Sequence, residues 1–325
     1  MNLALNNDRA GELTPDRASS PVSVSILICT RDRAAALHAS LLTVVEAVRA
    51  WNAPVEVIVI DNGSVDLTAS VLAQLATQYP YIHPICRSRP GRSRIFNSTL
   101  PQLRGQAVLF TDDDVHVPSS WIRDMATPIL TGVCDVVAGK VVLAEHLARP
   151  WLTAKMRVNL AEVTDVSGPQ PPLVGANMAA SLAAARVIGF DESLGPGASA
   201  STPVAADDLL FNLRCTAHGF MVRGCDGPPA VHWVDAGRLT RSAMLQLATT
   251  NARGMAIVWH HFLHHKLPLL RLRKYRAVLR LAWYRLTHRP LAAGLTEKEF
   301  DLAYARAFII TFLAEHHAPP RYPSG

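Results

Sequence analysis

Charge is sparse in this 325-residue chain: charged residues make up 18% and hydrophobic ones 49%. That balance excludes an intrinsically disordered polypeptide and allows a sizeable buried core. The length suits two ordinary domains, or one large α/β domain with an appendage. Cysteine is also scarce, with 5 residues, at positions 29, 86, 134, 215 and 225. An odd number with no CxxC pair excludes a disulfide scaffold and argues against a zinc ribbon or a redox pair. A reduced, cytoplasmic setting fits best. No apolar run reaches the roughly 18 residues of a membrane-spanning helix. Residues 1–21 lack the basic start and apolar stretch of a secretory signal and read as a disordered tail.

Acidic residues are missing altogether between Asp235 and Glu297, where 11 of the 32 Lys and Arg residues fall. The other 21 share the rest of the chain with 26 acids, so that part is net −5 although the whole chain is +6. The basic character belongs to one C-terminal segment, and no nucleic-acid partner is expected.

Hydrophobic patterning outlines an alternation of strands and helices. Residues 22–29 (VSVSILIC), 55–60 (VEVIVI), 82–86 and 107–111 (AVLFT) read as strands, the second nearly all apolar, as a strand covered on both faces must be. Residues 34–51, 66–78 and 92–103 read as the intervening helices, the first with Leu37, Leu41, Val44, Val45 and Val48 at helical spacing. This order predicts an α/β fold with a mostly parallel sheet, whose ligands bind beyond the carboxyl ends of the strands. Further on, 135–143 and 173–181 read as strands, 164–172 and 193–203 as loops, 207–217 as a helix, and 221–223 and 230–233 as short strands. From about residue 237 only helices are expected, and there is no internal repeat.

The acids sit where such a sheet puts its site. Asp61 directly follows VEVIVI, and Asp112, Asp113 and Asp114 directly follow AVLF-Thr111. Three consecutive carboxylates repel one another unless something positive joins them, and a hard divalent cation is the simplest partner. In an extended segment alternate residues point the same way, so Asp112 and Asp114 can share a task while Asp113 turns aside. A solvated acidic turn is the competing reading.

With these residues in place the chain resembles family 2 glycosyltransferases over roughly residues 22–235. The resemblance rests on short motifs in the family's order: residues 25–33 (SILICTRDR), Asp61-Asn62-Gly63-Ser64, residues 91–97, the Asp112-Asp113-Asp114 cluster, Gly189-Phe190-Asp191-Glu192, Asp207-Asp208 with Arg214 six residues on, and Pro229-Ala230-Val231-His232. It implies a GT-A-type fold, a mostly parallel sheet flanked by helices with a Rossmann-like nucleotide-binding half, over 22–235. Residues 236–325 would form a basic helical C-terminal region. It further implies transfer of a sugar, with inversion, from a nucleoside-diphosphate sugar to a hydroxyl-bearing glycan or lipid-linked acceptor. Asp208 is the implied catalytic base, and Asp207 the acceptor-side acid. Thr30, Arg31, Asp61, Asn62, Arg94, Asp112 and Asp113 are implied at the nucleotide sugar. Asp112, Asp114 and His232 are implied at a divalent cation, Mn2+ or Mg2+. Two departures stand out: Asp207 replaces the family's usual Glu, and Phe96-Asn97 stands where Arg-Asn is common, leaving Arg92 or Arg94 to reach the diphosphate. The bland reading of Asp207-Asp208 is capping of a helix start. The enzymatic rival is a nucleotidyltransferase, but the glycine-rich signature after its first strand is absent from CTRDRAAAL. The non-enzymatic rival is a nucleotide-sugar binder without activity.

Two features lie outside that resemblance. Residues 266–289 interleave eight Lys and Arg with leucines, Trp283 and Tyr284. Either this helix docks on an anionic membrane surface, or it packs on the catalytic domain with a solvated basic face. His260, His261, His264 and His265 form two i,i+4 pairs, a spacing that can bind zinc. Without a third ligand, a surface or interface cluster is the preferred reading.

Overall fold

The computed structural model describes residues 22–199, 202–291 and 293–323, so the expected tail at 1–21 lies outside the described residues. Strands β1 (Val24–Thr30), β2 (Val55–Asp61) and β3 (Ile82–Cys86) pair in parallel through the crossover helices α1 (Ala34–Trp51) and α2 (Thr68–Gln78). Helix α3 (Arg92–Thr99) then leads to β4 (Ala107–Asp112), parallel to β1 on its other side. The sheet continues through β8 (Asn177–Ser181) and β6 (Val136–Ala138) to β9 (Val222–Gly224). The seven strands run in the order β3-β2-β1-β4-β8-β6-β9, and β8 is antiparallel to both neighbours. A small second sheet joins β5 (Val115–His116), β10 (Ala230–His232) and β7 (Val141–Leu143), and helices α4 (Trp121–Leu130), α5 (Ala154–Val158) and α6 (Leu182–Ile188) lie in the connections between the later strands.

Both faces of the large sheet are covered, which is why β2 is buried at all seven positions. Ile26, Ile28, Val57 and Val59 meet Leu37 and Leu41 of α1 in one cluster. Leu27, Ile58 and Ile60 belong to the cluster holding Ile95 of α3 and Phe211 of α7 (Asp207–Ala217). The period-two alternation thus sorts each strand's side chains between two apolar layers. Burial of each such side chain contributes about 1.5–3 kcal/mol.

Three elements differ in extent from the sequence expectation. The single strand expected over 135–143 is two strands in different sheets, broken at Gly139-Lys140. There Asn177 takes the space a side chain at 139 would need: a Cβ on Gly139 would lie 2.2 Å from its Nδ2. The same amide donates to the Lys140 carbonyl at 2.8 Å. The strand expected over 173–181 begins only at Asn177. Helix α3 stops at Thr99 and gives way to a 3-10 turn at Leu100–Gln102, which contains Pro101.

Beyond residue 235 the chain is helical, as expected: α8 (Arg241–His261), α9 (Leu270–Thr287) and α10 (Glu297–Glu315). Met244 and Phe300 share an apolar cluster with Leu143, Leu147 and Met156, so these helices pack on the end of the sheet structure. None of the described helices is long and apolar enough to cross a membrane. The histidine cluster serves the same packing. His260 Nε2 donates to the Ala318 carbonyl at 2.9 Å, His264 Nε2 to that of Tyr322 at 2.9 Å, and His261 Nε2 meets Glu315 at 3.0 Å.

Candidate active site

Strand register brings the acids together. Thr30 lies opposite Asp61 in the β1–β2 pair, and Cys29 lies opposite Asp112 in the β1–β4 pair. Three strands thus end at one level, each with a polar residue last. The second sheet adds a fourth element. His232 pairs with Val115, and the Trp233 amide donates to the Asp114 carbonyl at 2.7 Å.

The aspartate triplet is not uniformly extended, because a turn interrupts it at Asp113-Asp114. Asp112 and Asp114 still share one neighbourhood: with His232 they offer ligand atoms all within 4.8 Å of one another. Among the described residues this is the one set of three or more His, Cys, Asp or Glu side chains with that geometry. His232 Nε2 is 3.2 Å from Asp114 Oδ1. Its Nδ1 donates to the Leu160 carbonyl at 3.0 Å, which fixes the ring with Nε2 turned towards the acids.

Asp113 does not simply turn aside. It is buried, accepts from Thr30 Oγ1 at 2.7 Å and meets Arg33 Nη1 at 3.1 Å. Burial pushes its carboxyl up to about 6, against the opposing charge of Arg33. Burial would also raise Asp114, but the hydrogen bond and charge of His232 and the pairing with Arg33 hold it well below the usual carboxylate range. Arg238 adds further positive charge at 3.9 Å from Asp114.

Arg33 and Arg238 were not among the residues selected from the sequence. Arg31, which was, has a side chain 56% exposed and lies 3.5 Å from Asp32. Asp32 takes a left-handed backbone (φ 52°), and the chain then presents Arg33 to the acids. Asp61 is buried and accepts the Ser64 amide at 2.8 Å, closing the turn through Asn62 and Gly63 (φ 73°). Among the described residues the buried Oδ1 of Asn62 has no hydrogen-bond partner.

On the other side of Asp112 stands Arg92. Its Nη1 meets Asp112 at 3.1 Å, and its Nε and Nη2 meet Asp207 at 3.2 and 2.9 Å. Arg94 lies apart from this cluster, paired with Glu192 at 3.1 Å. Of the two arginines left open by the missing Arg-Asn pair, Arg92 is the one at the acids.

Asp207 and Asp208 open α7, but neither is its N-cap residue. Ala206 precedes the helix in a left-handed conformation and no side chain caps the first turn. Asp208 is half-buried and accepts two amides, Gly175 at 2.9 Å and Leu209 at 2.8 Å. Burial and the neighbouring Asp207 charge raise its pKa, with Arg92 pulling the other way. The loop expected over 193–203, of which 200–201 lie outside the described residues, packs on this corner. Ser93 Oγ donates to the Leu194 carbonyl at 2.9 Å, and the Arg92 amide to that of Pro196 at 2.9 Å.

The site therefore joins three strand ends, three candidate cation ligands and a half-buried carboxylate. Residues 25–169 match the family model described as Glycosyl transferase family 2. That segment belongs to glycosyltransferase family 2. The chain as a whole is similar in fold to a Pyrobaculum calidifontis mannosyltransferase, PcManGT, solved with GDP-Man and Mn2+. The TM-score is 0.56 at 17% identity, over 96% of this chain and 91% of that one. Residues 1–349 of S. aureus TarS give a TM-score of 0.50 at 15% identity, over 91% of each chain. At these identities the likeness is one of fold. No curated protein matches the chain at a significant level.

Proposed function

We propose that this chain is a metal-assisted, inverting glycosyltransferase, moving a sugar from a nucleoside-diphosphate sugar to a hydroxyl of a glycan or lipid-linked acceptor, with residues 22–235 as the catalytic domain. The observation that carries the reading is the convergence of Asp112, Asp114 and His232, 118 or more residues apart at the extremes, within 4.8 Å at the strand ends. The donor set fits a divalent cation. It offers two carboxylate oxygens and an imidazole nitrogen whose ring is fixed by Leu160, and Asp114 is held ionised. When bound, such a cation supplies positive charge to the diphosphate leaving group. The donor class gains support from the Pyrobaculum calidifontis mannosyltransferase of similar fold, which holds GDP-Man and Mn2+.

The chain's own residues divide the remaining work. Thr30, Asp61 and Asn62 line the nucleoside side, where a base N–H would satisfy the unpartnered Asn62 Oδ1. Arg92 ties the Asp112 side to the acceptor-side Asp207. Asp208, oriented by two amides and reachable from solvent, takes the proton from the acceptor hydroxyl as the hydroxyl attacks. Attack from the side opposite the leaving group inverts the anomeric centre.

A screen of nucleotide sugars for hydrolysis and transfer, with and without Mn2+, tests the whole reading; no turnover of any donor under either condition would sink it. Calorimetry tests the cation site. Asp114→Ala should lower cation-dependent donor affinity by about tenfold or more, about 1.4 kcal/mol. Affinity unchanged by the substitution would remove the ligand role.

A further inference from the structure

Helix α9 leaves its apolar side in water. Leu272, Tyr275, Leu279, Trp283 and Leu286 follow one another at steps of three and four residues, so they share one face. They are 50%, 66%, 66%, 69% and 84% exposed. The opposite face is the docked one: Leu281 is buried, Tyr284 bonds Thr296 at 2.7 Å, and Arg285 meets Glu299 at 3.0 Å. The packing alternative left open by the sequence would cover the apolar stripe and expose the basic one. Here the helix is packed through a third face and both remain outside.

The stripe is flanked by cations. Arg276 and Arg280 project beside it on one side and Arg271 on the other, given 100° per residue. Among the described residues none of these three meets a carboxylate, and no acid lies between residues 236 and 296 to neutralise them. An exposed apolar stripe holding a Trp and a Tyr, bordered by unneutralised arginines on a helix that cannot span, is the composition of a helix lying in a lipid headgroup layer.

We infer that α9 docks this chain on an anionic bilayer surface, with Leu279 and Trp283 seated at the headgroup boundary and Arg271, Arg276 and Arg280 on lipid phosphates. The placement suits the candidate active site. Glu299 is shared by Arg285 of α9 and Arg241 of α8, and Arg238, three residues before Arg241, is 3.9 Å from Asp114. The C-terminal end of α9 is thus linked through Glu299 to the start of α8, three residues after the Arg238 that approaches Asp114. The docking does not depend on the transfer reaction, and its test needs no turnover.

The test is co-sedimentation of the full chain with phosphatidylcholine vesicles, with and without phosphatidylglycerol, at low salt and at about 1 M, where the screening length is about 3 Å. The expected result is binding to the anionic vesicles at low salt and its loss at high salt. Leu279→Glu with Trp283→Glu should weaken partitioning at least tenfold, and Arg276→Glu with Arg280→Glu should abolish the preference for anionic lipid. All four positions are exposed, and unchanged thermal melts would confirm that the variants fold. Absence of binding at low salt, equal binding to neutral vesicles, or full binding by the Leu279/Trp283 variant would each overturn the inference. So would a dimer in sedimentation that Trp283→Glu dissolves without lipid, since a second copy would then be what covers the stripe.

Discussion

Asp208→Asn should lower turnover by about 10²–10⁴-fold, the usual worth of general-base assistance, while donor affinity stays close to that of the native chain. The change removes the negative charge and keeps the shape. One of the two amides, from Gly175 or Leu209, would then face the new NH2 group, a loss of about 1 kcal/mol. Against that stands a gain. Burial and the Asp207 charge raise the Asp208 pKa, so its ionised form is disfavoured in the folded chain relative to the unfolded one. Asp208 therefore costs stability above its unfolded pKa of about 3.9, with the cost growing until pH passes the raised folded value. The gain therefore offsets part of that loss at neutral pH, and the variant's stability relative to the native chain should decline as pH falls towards 4. The same shift places the acidic limb of the native pH–rate profile above the ordinary aspartate range, and Asn should remove that limb. Native turnover by the variant would end the base assignment. Lost turnover together with a collapsed melting temperature would point to a structural acid instead.

The parallel half of the fold was legible because strands covered on both faces have almost no polar residues to confuse the pattern. VEVIVI and AVLF could be nothing else, and the acids that follow them mark the strand ends. What the pattern could not show depends on contacts distant in sequence. Gly139 breaks a run that reads as one strand only because Asn177, 38 residues on, occupies its side-chain space. Arg33 replaces Arg31 at the acids because Asp32 adopts a left-handed backbone, held by Ser64 and Val65 of the next turn: the Asp32 amide donates to Ser64 Oγ at 2.9 Å, and the Val65 amide to Asp32 Oδ1 at 2.7 Å. Aspartate tolerates that conformation better than most residues, which is the one local hint available. The amphipathic composition of α9 was visible, but which of its faces is packed was not. Its docked side is chosen by Thr296 and Glu299, outside the segment.

Arg92→Met should destabilise the fold by about 3–5 kcal/mol, the range for leaving one member of a buried ion pair alone. Asp207 is 3% exposed, and two arginine nitrogens meet the same oxygen, Oδ2; apart from Arg92, among the described residues its side chain has only the Ser93 hydroxyl at 3.5 Å. The glycine beside it leaves no route for relaxation: a Cβ on Gly195 would already lie 2.6 Å from Oδ2, so the loop backbone is pressed against the carboxylate and excludes water. If the unpaired charge is the cause, Asp207→Asn added to Arg92→Met should restore much of the loss, a coupling that chemical denaturation of the double-mutant cycle measures directly. Additive losses would mean that Arg92 acts through packing alone. Catalysis supplies an independent readout. The Arg92 charge, with the Gly175 and Leu209 amides, lowers the Asp208 pKa against burial and Asp207, so its removal should carry the acidic limb of the pH–rate profile upward. Arg92→Lys separates the two roles. A lysine keeps the charge and so most of the limb's position, but a single ammonium cannot span Asp112 and Asp207 as the guanidinium does, and stability should fall between native and Met. An Arg92→Met chain that melts like the native one would show that the two halves of the site are not clamped together by this side chain.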